Sequence, residues 1–279
     1  MKTLTLGYSP CPNDTFIFYA MIHGKIDTGR LEFKETLLDV ETLNQKALNA
    51  ELDLTKISYH AFGHLRDKYA LLRSGSALGR GCGPIVVTKD GHTMEDLRDK
   101  KIAIPGKLTT ASLLLQLYNS AFANSSNLII MPFHEIMDAV ANGDVDAGVI
   151  IHESRFTYVS CGLSRVIDLG RWWEKETGLP IPLGGILAKR ELGRELILKV
   201  EDLLRQSIEY SYNNRFEPMG YIKEHSQELS DGVIKDHISL YVNDFTIDVG
   251  EEGEKAITEL ISRAEDSGIM PKSEQPLFI

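Results

Sequence analysis

Cysteine is scarce in this chain. Three occur in 279 residues, Cys11, Cys82 and Cys161, and none belongs to a CxxC pair. An odd count without paired spacing excludes a disulfide framework or a zinc knuckle as the organising device, and a reducing compartment is expected. Long apolar runs are missing as well. No stretch of about 18 apolar residues appears, so no membrane-spanning helix is expected. The opening segment MKTLTLGYSPCPND has no apolar core of signal-peptide length, which argues against a secreted receptor and for a cytoplasmic location. Basic excess is absent: the formal net charge is −10, which disfavours nucleic acid as the main partner. A small anionic ligand needs only local donors and stays open. The chain shows no internal repeat, no GK[ST] ending of a phosphate loop, no GxGxxG before a helix and no metal-ligand spacing. Neither a cofactor nor a metal is therefore expected. Oligomeric state is not legible.

What is present is an ordinary globular composition, 43% hydrophobic and 25% charged, in a chain long enough for two domains of ordinary size or one large one. Strand-like and helix-like segments alternate. Strands are expected at Lys2–Gly7, Leu31–Lys34, Leu54–Ser58, Tyr69–Arg73, Gly83–Thr88, Lys101–Ile104, Asn127–Pro132, Ala147–Ile151 and Val166–Leu169. Helices are expected near 15–23, 40–50, from Tyr59, at 94–98, 111–122, 133–141 and 171–178, then at 195–212, 217–228, 230–243 and 252–267. The glycine-rich SGSALGRGCG between two of the strands reads as a flexible connection. GPIVVTK and LPIPLGGILAKR resemble one another, each placing proline and glycine before a short apolar strand that reaches a lysine. Two such segments suit a chain that crosses from one lobe to another and returns. The expected organisation is α/β in two lobes, one of residues 1–86 plus 187–279 and one of residues 87–186, with a ligand cleft between them.

The segment DVDAGVIIHESRFTY, residues 144–158, anchors the functional reading. Its near-continuous apolar run suits a parallel strand buried on both faces, and it stops at His152. Ligands in open α/β sheets sit beyond the carboxyl ends of strands, and histidine is the side chain most easily poised as a base near neutral pH. A histidine merely hydrogen-bonded at a strand end is equally consistent with this stretch. Lys56 and Ser58 sit at a strand-to-helix junction, where an ammonium and a hydroxyl could hold a carboxylate. A surface lysine and a capping serine explain them just as simply. Thr109 and Thr110 follow a Pro-Gly turn at a helix start, where hydroxyls and free amides could form a carboxylate cradle, and a simple threonine N-cap is the alternative. In SPCPND, two prolines bracket Cys11, and Asn13 or Asp14 can cap the next helix. A thiol there is either a packed small group or, less simply, a nucleophile. Trp172 and Trp173 read as packing residues.

Taken in order, SPCPNDTFIF, TKISYHA, ALGRGCGPIVV, PGKLTTA, GVIIHESRFTY, LPIPLGGILA and YVNDFTIDVGEEGEKA span essentially the whole chain. Together they resemble the 1,4-dihydroxy-6-naphthoate synthases of the futalosine route to menaquinone. The resemblance implies a two-lobed fold of the type 2 periplasmic-binding-protein kind, used by a cytosolic lyase without redox cofactor or metal. It implies conversion of cyclic dehypoxanthinyl futalosine into 1,4-dihydroxy-6-naphthoate and a dihydroxyacetone-type fragment. It places a proton acceptor at His152 and substrate contacts at Lys56, Ile57, Ser58, Thr109 and Thr110, with Asn44 and Ile151 as further candidates. Chorismate dehydratase, of the same superfamily, is the nearest alternative, and the histidine-bearing block argues against it. A non-catalytic small-molecule binding protein is the alternative from another class.

Overall fold

In the computed structural model, residues 1–123, 125–226 and 230–279 are described. The chain first lays down β1 (Lys2–Tyr8), α1 (Pro12–Ile22), β2 (Leu31–Leu37), α2 (Val40–Leu48), β3 (Leu54–Ser58), α3 (Tyr59–Gly63), β4 (Tyr69–Leu71) and β5 (Ala77–Gly79). It continues with β6 (Ile85–Thr88), β7 (Ile102–Ile104), α4 (Thr110–Tyr118), β8 (Leu128–Ile130), α5 (Ile136–Asn142), β9 (Ala147–Ile150), α6 (Ser154–Thr157), β10 (Ser164–Asp168) and α7 (Leu169–Thr177). Then come β11 (Ile181–Lys189), α8 (Arg194–Asn213), α9 (Met219–His225), α10 (Asp231–Tyr241), α11 (Asp244–Ile247) and α12 (Gly250–Asp266).

Two sheets result. One has the order β2-β1-β3-β11-β4, with β5 paired to β11, and the other has the order β10-β6-β9-β7-β8. β1, β2 and β3 run parallel, as do β7, β8 and β9, while β11 and β6 run antiparallel to their neighbours. AGVI in β9 is a near-continuous apolar run, as a strand buried along its whole length requires, whereas LTKIS in β3 is equally buried but carries Thr55, Lys56 and Ser58 among its five residues. α8 buries Ile197, Val200, Leu204 and Ile208 on one face against β1 and α1, at helical spacing. Each such side chain contributes roughly 1.5–3 kcal/mol on removal from water. The polar Ser207 on that face is satisfied, donating to Ile17 O at 2.7 Å and accepting from Met21 N at 3.0 Å.

The chain passes from the first sheet to the second between β5 and β6, and back between α7 and β11. The expected lobe boundaries at 86/87 and 186/187 fall inside β6 and β11. Each strand belongs whole to one sheet, so the sheets divide the chain just before β6 and just before β11. The second crossing is pinned to the first where Gly83 meets Gly170. A Cβ on Gly83 would stand 2.3 Å from Gly170 Cα, so only glycine permits this approach.

Several local expectations change. SGSALGRGCG contains β5, because β11 supplies backbone partners to Ala77, Leu78 and Gly79 that three residues cannot advertise in sequence. The expected helix at 94–98 is a 3₁₀ turn over Asp96–Asp99. α1 starts at Pro12 rather than Thr15, and its cap is the backbone of Cys11, whose carbonyl accepts from Asp14 N and Thr15 N. The expected helix 230–243 is α10, which stops at Tyr241, and Asn243 caps a further short helix, α11, with a side-chain bond to Phe245 N. In the expected helix 217–228, α9 covers Met219–His225, and the last two positions lie outside the described residues.

Candidate active site

β3 and β9 both deliver their carboxyl ends to one cavity of about 660 Å³, counting the part open to solvent. Lys56, Ile57 and Ser58 line it from β3, Thr109 and Thr110 from the start of α4, and Ile151 and His152 from the turn after β9. Six of the seven expected contacts, and the expected base, thus share one space. Asn44, from α2, is the seventh and stands behind this wall. Its Oδ1 accepts from Ser58 N at 3.0 Å and its Nδ2 donates to Ser58 Oγ at 3.3 Å. Because Ser58 Oγ accepts that bond, its own proton is free to donate into the cavity.

Lys56 is no surface lysine. It is buried, forms an ion pair with Asp14 Oδ1 at 3.0 Å and donates to Gly75 O at 3.2 Å. Asp14 also accepts from Ser9 Oγ at 2.7 Å and from Asn13 Nδ2 at 2.8 Å. Asp14 and Lys56 are the charged residues among those lining the cavity, and they neutralise one another. Removing one partner of such a buried pair costs about 3–5 kcal/mol, because the other charge is left bare.

The two threonines also have internal work. Thr109 Oγ1 donates to Gly106 O at 2.8 Å and accepts from Ser112 N at 3.2 Å, which caps α4. Thr110 Oγ1 donates to Leu183 O at 2.5 Å, tying α4 to β11 of the other sheet. The hydroxyl protons are committed to carbonyls. The first-turn amides of Thr110 and Ala111, which no helix can satisfy internally, remain as donors beside the cavity. Glu41 of α2 braces the same loop, accepting from Leu108 N at 3.3 Å. Burial raises its carboxyl above the usual range, partly offset by bonds from Gln45 and Asn44.

His152 adopts φ 55°, the left-handed region that side-chain-bearing residues rarely occupy. Its ring lies edge-on to Phe133 at 5.0 Å and parallel to His237 at 6.2 Å. Burial lowers its pKa below the ordinary imidazole value; the charges of Glu153 and Asp14 oppose that and Lys56 adds to it. The neutral imidazole that results at pH 7 is the form a base needs. Burial pushes the Cys11 thiol well up and the Cys82 thiol up to about 12, so neither is an activated nucleophile. Trp173 is fully buried, with Nε1 donating to Pro180 O at 3.0 Å, and Trp172 packs on Tyr118; neither lines the cavity.

Sequence reasoning missed part of the wall. Asn13 and Asp14 were visible as possible helix caps but are site groups, with Asn13 Oδ1 2.9 Å from His237 Nε2. Tyr241 on the wall, and His237 behind it one turn earlier on α10, carry no local signal of a site. Spacing along the sequence shows no metal-ligand cluster, yet the fold brings donor atoms of Cys11, His152 and Glu153 within 4.8 Å of one another. Among the described residues, no helix is long and apolar enough to cross a membrane.

Comparison with known proteins gives the same arrangement a family. The periplasmic aliphatic sulphonate-binding protein of Escherichia coli superposes with a TM-score of 0.65 at 12% identity, over 98% of this chain and 89% of that one. This likeness shows the fold, α/β of the periplasmic-binding-protein kind. A solved protein of Archaeoglobus fulgidus matches far more closely, with a TM-score of 0.90 and 39% identity over 96% of this chain and 98% of that one. The 1,4-dihydroxy-6-naphtoate synthase of Thermus thermophilus is 49% identical over 279 residues, the full length of both chains. The family model described as menaquinone biosynthesis matches residues 4–266, a span that takes in both sheets and every residue of the cavity wall, and the chain belongs to that family.

Proposed function

We propose that this protein is a carbon–carbon lyase that converts cyclic dehypoxanthinyl futalosine to 1,4-dihydroxy-6-naphthoate and a dihydroxyacetone-type fragment, with His152 as general base. The observation that carries the reading is a neutral histidine, in a left-handed turn at a strand's carboxyl end, facing hydroxyl and amide donors across one cavity. The full-length relative with a synthase name supports the choice of product.

The chemistry needs a base beside an acidic C–H and donors for the oxyanion that develops as the ring fragments. His152 takes the proton. Among the described residues, the cavity wall offers the substrate carboxylate no unpaired cation, since Lys56 is held by Asp14. The carboxylate's donors are the Ser58 hydroxyl and the amides that open α4. Lys56, fixed by Asp14 and Gly75, is left to face the developing oxyanion. Aromatisation of the product supplies the driving force. The cleft between the two sheets closes over the substrate and excludes water.

Incubation with the cyclic futalosine derivative, followed by mass spectrometry, tests the whole reading. The expected outcome is stoichiometric appearance of the naphthoate and the three-carbon fragment. Tight binding without turnover would instead make the chain a binding protein, and dehydration of chorismate in a parallel incubation would make it the dehydratase.

A further inference from the structure

Cys11, at the start of α1, and His152 and Glu153, after β9, lie far apart in sequence and meet beside the cavity. Their donor atoms, a sulfur, a ring nitrogen and a carboxylate oxygen, all lie within 4.8 Å of one another. Glu153 supplies an independent sign that something belongs there. The residue is only 7% exposed, and among the described residues neither carboxylate oxygen has a hydrogen-bond partner. A buried carboxylate without a partner is costly. The nearby cations do not serve it. Lys56 is engaged by Asp14 and Gly75, and Arg155 donates to Gly83 O and pairs with Asp168 at 2.7 Å.

We propose that Cys11, His152 and Glu153 form a binding site for a thiophilic divalent cation such as Zn²⁺, entered from the cavity through His152. Sulfur, imidazole and carboxylate are the donors Zn²⁺ takes, and three protein ligands leave a fourth tetrahedral position open. Mg²⁺ and Ca²⁺, which favour all-oxygen shells, are excluded by the thiol and the imidazole. On binding, the Cys11 thiol gives its proton to solvent and the thiolate binds the cation; nothing is oxidised or reduced. Occupancy ties up the lone pair of His152, so the cation suppresses turnover. This last consequence rests on His152 being the base; the binding does not.

The test uses the full chain with Cys161→Ser, which removes the exposed thiol as a competing ligand. Co²⁺ is the probe, because a sulfur ligand gives a thiolate-to-cobalt charge-transfer band and a tetrahedral site gives intense visible bands. Both are expected at a single equivalent, displaced by Zn²⁺ and not by Mg²⁺. Cys11→Ser should abolish the charge-transfer band. Glu153→Gln should weaken Zn²⁺ binding at least about tenfold, since loss of an outer-shell partner alone costs about ten- to a hundredfold. Zn²⁺ should inhibit turnover, and a chelator should restore it. Absence of the sulfur band with both thiols intact overturns the site, whatever the variants do. So does a band that survives Cys11→Ser, which would assign the sulfur to Cys82. If the chain does not turn over the futalosine derivative at all, the cobalt spectrum still decides the site, so the two failures are distinct.

Discussion

His152 combines a positive φ with a place on a cavity wall. A strained backbone of this kind costs roughly 1–3 kcal/mol and persists only where the surroundings impose it. Here only three residues, Ile151 to Glu153, join the end of β9 to the start of α6, and His152 is the middle one. Asparagine tolerates the left-handed region better than most side chains, so His152→Asn keeps the turn and removes the base. Turnover is expected to fall by about a hundred- to ten-thousandfold, with product affinity nearly unchanged. Near-native turnover in that variant would end the assignment. Lost affinity with intact single-turnover chemistry would make His152 a positioning residue.

The start of α4 is the element that joins the two halves of the site. Thr109 caps the helix, and Thr110 bonds across to Leu183 in β11. Replacing both with valine keeps shape and removes both hydroxyls. The carbonyls of Gly106 and Leu183 then lose their partners, at roughly 1–3 kcal/mol each where no water replaces them. A lower melting temperature is therefore expected. If the hydroxyls also order the amide cradle, affinity for the naphthoate product should fall about ten- to a hundredfold. A lowered melting temperature with unchanged affinity would mean that the amides of Thr110 and Ala111 hold the carboxylate without help. Sequence showed two threonines at a helix start. It did not show that their protons are already spent on carbonyls, because one acceptor is 73 residues away.

At the scale of the whole molecule, burial of neutral histidine sets the response to acid. His60, on α3, is 3% exposed and sits where the two halves of the chain touch, its Nδ1 3.2 Å from Thr109 O. Burial lowers its pKa to about 4; the bond to Thr109 O opposes this, and the nearby His64 and Lys107 charges add to it. The sign follows from proton counts. Below the ordinary value of about 6.5 the unfolded chain takes up a proton that the native site refuses, so stability falls as pH falls. The contribution is intact above about pH 6.5 and is lost progressively down to about pH 4, at which point roughly 3 kcal/mol has gone. Urea unfolding at pH 7 and pH 5 should show this loss, and His60→Gln, which keeps a donor for Thr109 O, should reduce it. Equal pH dependence in the variant would place the acid lability elsewhere.

Sequence by itself determined the alternation of strands and helices, the buried runs of β3 and β9, and the motif order that carries the family. It also determined where β9 ends to within one residue, because that carboxyl end is written as an apolar run that stops at His152. Periodicity and local chemistry act over a few residues, and those signals survive in one dimension. Tertiary structure decided the rest. β5 became a strand because β11 offered it partners, and the sheets divided the chain a few residues from the expected boundaries. Lys56 became an ion-pair member because Asp14 lies 3.0 Å away in space and 42 positions away in sequence. Asn44 moved behind Ser58, while Tyr241 joined the wall from the far end of the chain. Only packing could bring Cys11 to His152 and Glu153, since neither segment alone has the spacing of a ligand set. Contacts between distant segments depend on how whole elements pack, and no local pattern records them.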